Sequence, residues 1–189
     1  MVDLSTGNVT GGAGEDTITG SESVTGSAFA DSLVGDANES ALAGGSGNDV
    51  LEGGAGADEL DGGAGSDTAV LAKAGGPVTV DLVAGTASGH GADELVSIES
   101  VVGSSFDDTL LGSGTRNNLR GGGGNDRVSG RLQGDRLVGG GGNDRIQGSG
   151  GADKLFGNAG ADRLSGGPGK DVCKGGAGAD RLRGCERRA

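Results

Sequence analysis

The chain has 189 residues, of which 46 are Gly, with three Phe, no Tyr, no Trp, two Pro and a formal net charge of −12. So few large apolar side chains exclude a conventional globular core, and no apolar run approaches the roughly 18 residues of a membrane-spanning helix. Permanent disorder is the bland reading of a Gly-rich acidic chain, but Asp recurring at multiples of nine argues against it.

Residues 1–25 read as a partial spacer module with one repeat unit. No basic-plus-apolar leader opens them. Val2 to Gly35 parallels Val80 to Gly112 with one residue of offset, which marks an internal duplication whose first copy is expected to be shortened at the N-terminus. Gly11 to Thr19 (GGAGEDTIT) is expected to be a single nine-residue unit carrying Asp16 and Ile18.

Residues 26–70 form a first array of five such units. Each begins with Gly and has an apolar residue at position 8, and position 6 is Asp31, Ser40, Asp49, Asp58 and Asp67 in turn. Ser40 offers only a neutral oxygen, so sites beside it should be poor. Residues 71–102 are a β-rich spacer: VTVDLV (Val78 to Val83) alternates as a strand behind Pro77, and Asp93-Glu94-Leu95 looks like a worn unit out of phase. The strand content predicts that the stack continues here, against two rolls joined by a hinge. Phe29 and Phe106 stand at position 4 of matching units, where each ring is expected to plug a widened coil; the alternative is an aromatic exposed for a partner.

Residues 103–183 lay the unit down nine times without insertion, with Gly always at position 1. Position 6 is Asp108, Asn117, Asp126, Asp135, Asp144, Asp153, Asp162, Asp171 and Asp180. Gly130 to Val138 (GRLQGDRLV) lacks Gly at positions 2 and 4, so its turn should be wrong for a full site although its strand stacks. In the tail, residues 184–189, Cys185 can bond Cys173 and pin the end of the stack, or both thiols can be free.

Such a unit has two halves. Glycines at positions 1 to 6 let carbonyl oxygens converge, and positions 7 to 9 make a three-residue strand with one inward side chain. Two units then form an 18-residue coil, and stacking sets the Asp of one unit beside that of the unit two further on. Carboxylates that close need a cation, and a hard oxygen-only shell suits calcium. The chain is therefore expected to fold on binding several calcium ions and, since weak sites fill only at high calcium, to be extracellular.

No partner for nucleophilic or acid–base catalysis accompanies the lone His90, so no enzyme is read. Residues 1–115 hold 19 acids and one base, whereas 116–189 hold 8 acids and 14 bases. Neutralised aspartates would leave Arg127, Arg136, Arg145, Lys154, Arg163 and Arg181 as strand-face rows. These rows are either a solvated face or a contact for an anionic cell-surface glycan or protein partner; without interleaved aromatics they do not point to nucleic acid.

The units GGSGNDVLE (Gly44 to Glu52) and GGAGADRLR (Gly175 to Arg183) resemble the RTX, or haemolysin-type, calcium-binding repeat GGxGxDxUx over nearly the whole chain. The resemblance implies an all-β, right-handed parallel β-roll, with calcium in its turns held by Asp carboxylates and main-chain oxygens of neighbouring turns. Carried over residue by residue, the ligands are Asp16, Asp31, Asp49, Asp58, Asp67, Asp108, Asp126, Asp135, Asp144, Asp153, Asp162, Asp171 and Asp180. The implied role is a secreted structural or export-coupled module, expected to be a monomer, or a non-catalytic fragment of a larger secreted enzyme or toxin.

Overall fold

The structure is a computed structural model that describes residues 2–3, 8–10, 15–17 and 23–188. Among these residues every regular element is a β-strand. A polar-apolar-polar triplet buries one side chain, so the strand is stable only when its inward residue meets that of the unit two further on. The registers follow this rule. Leu119 pairs with Leu137, Leu137 with Leu155 and Leu155 with Cys173 in one sheet. Leu110, Val128, Ile146, Leu164 and Leu182 follow one another in the second. All these pairs are parallel, and alternate units thereby build two sheets of 12 and 11 strands. Their inner faces close on a single apolar stripe, in which Leu33, Leu51, Leu110, Leu119, Leu137 and Leu155 are at most 1% exposed.

The ladder passes through residues 71–102 without a break. Thr68–Val70 pairs with Ser100–Val102, which pairs with Asn118–Gly123. In the second sheet the same segment inserts three strands, Thr79–Asp81, Thr86–Ser88 and Ala92–Val96, the middle one antiparallel to both neighbours. The outer two rejoin the parallel stack, on Thr109–Leu111 and Glu59–Asp61.

The N-terminal segment repeats this device. Val2–Asp3, Asn8–Thr10 and Glu15–Thr17 pair in antiparallel succession, as the duplication implies. Asp16 lies in the strand Glu15–Thr17, opposite Val9. The side chain of Asp16, and Ile18, lie outside the described residues.

Two expectations are corrected. Phe29 is 78% and Phe106 41% exposed, so neither ring plugs a coil. The turn of Gly130 to Val138 keeps the shape of its neighbours, because Arg131 and Gln133 take left-handed backbone angles, φ 75° and 67°, where other units use Gly. At the far end Cys173 and Cys185 form a disulfide, and Arg187–Arg188 adds a parallel strand beside Val172–Ala177. The tail thus covers the last strand edge of that sheet.

Candidate metal-binding turns

The turn from Gly139 to Asp144 illustrates how the repeat positions its acid. Gly140 and Gly142 have φ of 131° and 114°, angles that let the chain reverse within six residues. Gly139 does not need such freedom. Its Cα faces inward, and a Cβ there would strike the Asp144 carboxylate. The same holds at Gly44 with Asp49, Gly121 with Asp126, Gly148 with Asp153 and Gly157 with Asp162. Position 1 is glycine because the folded-back Asp fills the space of a side chain.

In these five turns the folded-back carboxylate is anchored by one oxygen only. The main-chain N–H of Asp126 donates to Oδ1 of Asp144, and that of Asp144 to Oδ1 of Asp162, both at 2.8 Å. This bond recurs along two rows. One runs Val78, Asp108, Asp126, Asp144, Asp162, Asp180. The other includes Asn117, Asp135, Asp153, Asp171. The earlier array continues these rows, with Asp31, Asp49 and Asp67 in one and Ser40 and Asp58 in the other.

The second oxygen is different. Oδ2 of Asp49, Asp58, Asp67, Asp126, Asp135, Asp144, Asp153, Asp162 and Asp171 is buried and has no hydrogen-bond partner. Main-chain carbonyls converge on the same spaces: those of Gly139, Gly166 and Gly175 approach the Cβ positions of Gly121, Gly148 and Gly157 in the preceding turns of their rows. Burying an ionised carboxylate this way is costly unless a proton or a cation neutralises it. Burial accordingly pushes the carboxyls of Asp126 and Asp135 up to about 7 and that of Asp144 up to about 6. The main-chain N–H bond offsets part of this, and neighbouring carboxylates of the row raise the values further. Among the described residues no three His, Cys, Asp or Glu side chains converge, so any cation here draws on main-chain oxygens as well. An all-oxygen set of this kind matches a hard divalent ion.

The model of the RTX calcium-binding nonapeptide repeat matches residues 7–23, 41–69 and, in overlapping segments, 102–182. The chain belongs to this RTX repeat family. No curated protein sequence matches it significantly. RTX repeats are calcium-binding, structural and non-catalytic, and typical of secreted proteins.

The RTX turns of this chain are not equivalent. Asp31 and Asp108 sit in turns with Ser at position 2. The N–H and the hydroxyl of Ser27 donate to Asp31 Oδ2 at 2.6 and 2.8 Å. Ser104 donates its N–H to Oδ2 of Asp108 and its hydroxyl to Oδ1, at 2.6 and 2.8 Å. Ser113 serves Asn117 Oδ1 in the same manner. These turns are closed by the N–H and hydroxyl of their own serine. Asp180 ends its row half-buried, with one neighbouring turn instead of two.

Two acids escaped the repeat pattern. Asp93 is buried and accepts the N–H of Asp58 at 3.2 Å, so the worn unit does supply a row member. Glu99 accepts the N–H of Asp67 at 3.0 Å and links the rows of the two arrays through its carbonyl, which accepts from Asn117 Nδ2. The clue to Asp93 was its place in the worn unit Asp93-Glu94-Leu95, and the clue to Glu99 was an acid standing just ahead of the strand Ser100–Val102. An outer ladder at position 5 was also missed: Asp107 Oδ1 accepts from Asn125 N–H, Asn125 Oδ1 from Asn143 N–H, and Asn143 Oδ1 from Ala161 N–H.

At the junction with the spacer a side chain supplies the positive charge. The Arg131 guanidinium bridges both oxygens of Asp81, at 2.7 and 2.8 Å, and donates to the carbonyl of Gly112. Hydrogen bonding from Arg131 holds the Asp81 carboxyl down at about 2.

Proposed function

We propose that this chain is a calcium-folded module of the extracellular space, and that its ions are held by the turns whose position-6 aspartate keeps a buried, unpaired Oδ2. The residues are Asp49, Asp58, Asp67, Asp126, Asp135, Asp144, Asp153, Asp162 and Asp171. Those nine orphaned oxygens carry the reading. Bound calcium would supply divalent charge to carboxylates that otherwise repel along each row. The protein's own part is to fold each Asp back over a position-1 glycine, fix Oδ1 with a main-chain N–H, and aim carbonyls into the remaining space. Where calcium is scarce, the rows keep the chain open; where it is abundant, each closed turn orders the next.

The Ser-closed turns of Asp31, Asp108 and Asn117, and that of Ser40, stand outside the set. Calcium calorimetry with circular dichroism tests the division. Asp144→Asn and Asp162→Asn should each lower the stoichiometry and broaden the folding transition, whereas Asp108→Asn should leave the stoichiometry unchanged. Equal losses in all three variants would refute the division, and unchanged titrations in all three would refute calcium ligation by these rows.

A further inference from the structure

The second sheet separates arginines that the sequence alone pools with other cations. Arg127 pairs with Arg145, Arg145 with Arg163 and Arg163 with Arg181, as direct neighbours across three successive strand pairs. Arg136 and Lys154 lie on the other sheet, where Arg136 stacks on Phe156 at 4.6 Å. The four arginines of the row are all exposed, and no described carboxylate forms an ion pair with any of them. Like charges at the strand interval of about 4.8 Å oppose one another. Their buried neighbours Asp126, Asp144 and Asp162 belong to the calcium rows, so in the folded, loaded chain this face carries uncompensated positive charge. Beside the arginines runs a second row, Ser129, Gln147, Ser165 and Arg183, which offers hydroxyl and amide groups.

We infer that this face binds a linear acidic polysaccharide laid along the stack, with the arginines on its carboxylate or sulfate groups and the Ser and Gln row on its hydroxyls. The inference rests on the calcium-folded state proposed above. A single-stranded nucleic acid fits less well, since no aromatic side chain stands on this face to stack a base. An anionic membrane fits less well too, since the strands Arg145–Ser149 and Arg163–Ser165 present no apolar side chain outward. A second copy of the chain offers Glu59, Asp61 and Glu94 on the same sheet, but these come from two adjacent strands against four strands of arginine.

The test uses the full chain in excess calcium, with circular dichroism first establishing that each variant is folded. Calorimetry then follows binding of a short oligogalacturonate, a heparin-derived oligosaccharide, single-stranded oligothymidylate, and vesicles of phosphatidylcholine with phosphatidylserine. Arg145→Gln with Arg163→Gln should weaken oligosaccharide binding by about tenfold or more, while Arg136→Gln with Lys154→Gln, an equal charge change on the opposite sheet, should weaken it less than about threefold. The two oligosaccharides distinguish carboxylate from sulfate as the recognised group. Equal losses in the two double variants, no binding of either oligosaccharide, or tighter binding of oligothymidylate or vesicles would overturn the inference. So would salt-sensitive dimerisation of the loaded chain, seen in sedimentation and removed by Arg145→Gln with Arg163→Gln. A wild-type chain that stays unfolded in calcium would instead count against the calcium reading.

Discussion

At the scale of single residues, the glycines of one turn have different physical duties. Gly140 and Gly142 are needed for their backbone angles, Gly139 for the room it leaves to the Asp144 carboxylate, and Gly141 for neither, since a Cβ there meets nothing within 4 Å. Gly139→Ala should therefore cost about 1–3 kcal/mol and weaken calcium binding, because it overpacks a buried site. Gly141→Ala should stay within about 0.5 kcal/mol of the parent. Thermal melting in calcium, with calorimetry, checks the pair; equal costs would mean that glycine content, not position, matters. Position 1 was legible in the sequence as constant Gly, but its reason was not, because the collision is with a side chain five residues along that folds back only in the turn.

At the scale of elements, two local clasps secure the stack without metal. The Cys173–Cys185 disulfide closes a loop of sequence separation 12, worth roughly 3 kcal/mol in lost chain entropy. Reduction in saturating calcium should lower the melting temperature and speed amide exchange in Val172–Ala177, whose edge the tail covers, while leaving Thr109–Leu111 protected. The second clasp is Arg131 on Asp81, across 50 residues of chain. A double-mutant cycle of Arg131→Ala and Asp81→Asn should give a coupling of about 1 kcal/mol that shrinks with salt. The cysteine pair could be anticipated from spacing, whereas Arg131 read only as a missing glycine. Its left-handed backbone, which costs about 1–2 kcal/mol for a residue with a side chain, aims the guanidinium at the spacer.

For the whole molecule, the rows of raised carboxyls govern response to pH. In the metal-free fold Asp126, Asp135 and Asp144 hold their protons up to about 7, 7 and 6, against an ordinary value of 3.8. The folded chain binds more protons than the unfolded chain between these limits. Their contribution is then fully present below pH 4 or so and is lost as pH rises towards about 7. Without calcium, strand content should consequently rise on acidification from about pH 7 to 5, until this acidic chain takes on a net positive charge at lower pH and self-repulsion opposes it. Calcium affinity should change in the opposite sense, increasing from about pH 5.5 to 7.5 with proton release on binding. Circular dichroism in chelator and calorimetry in buffers of different ionisation heat measure the two effects. A metal-free chain whose strand content falls on mild acidification would contradict the raised carboxyls.

The two-sheet stack, the inward apolar column and the acidic rows were all determined by a nine-residue period. Inward residues at position 8 and acids at position 6 return on the same side every 18 residues, so stacking follows from counting. The tertiary structure alone decided which turns are alike. Whether an aspartate keeps a bare oxygen depends on whether the residue four positions back turns its N–H and hydroxyl onto the carboxylate, as Ser27 and Ser104 do and Ser149 does not, and whether the rows run on through the spacer depends on Asp93 and Glu99 reaching places that the broken period hides. Period is a property of the chain, but the pairing of one polar atom with another is set by where folding brings them.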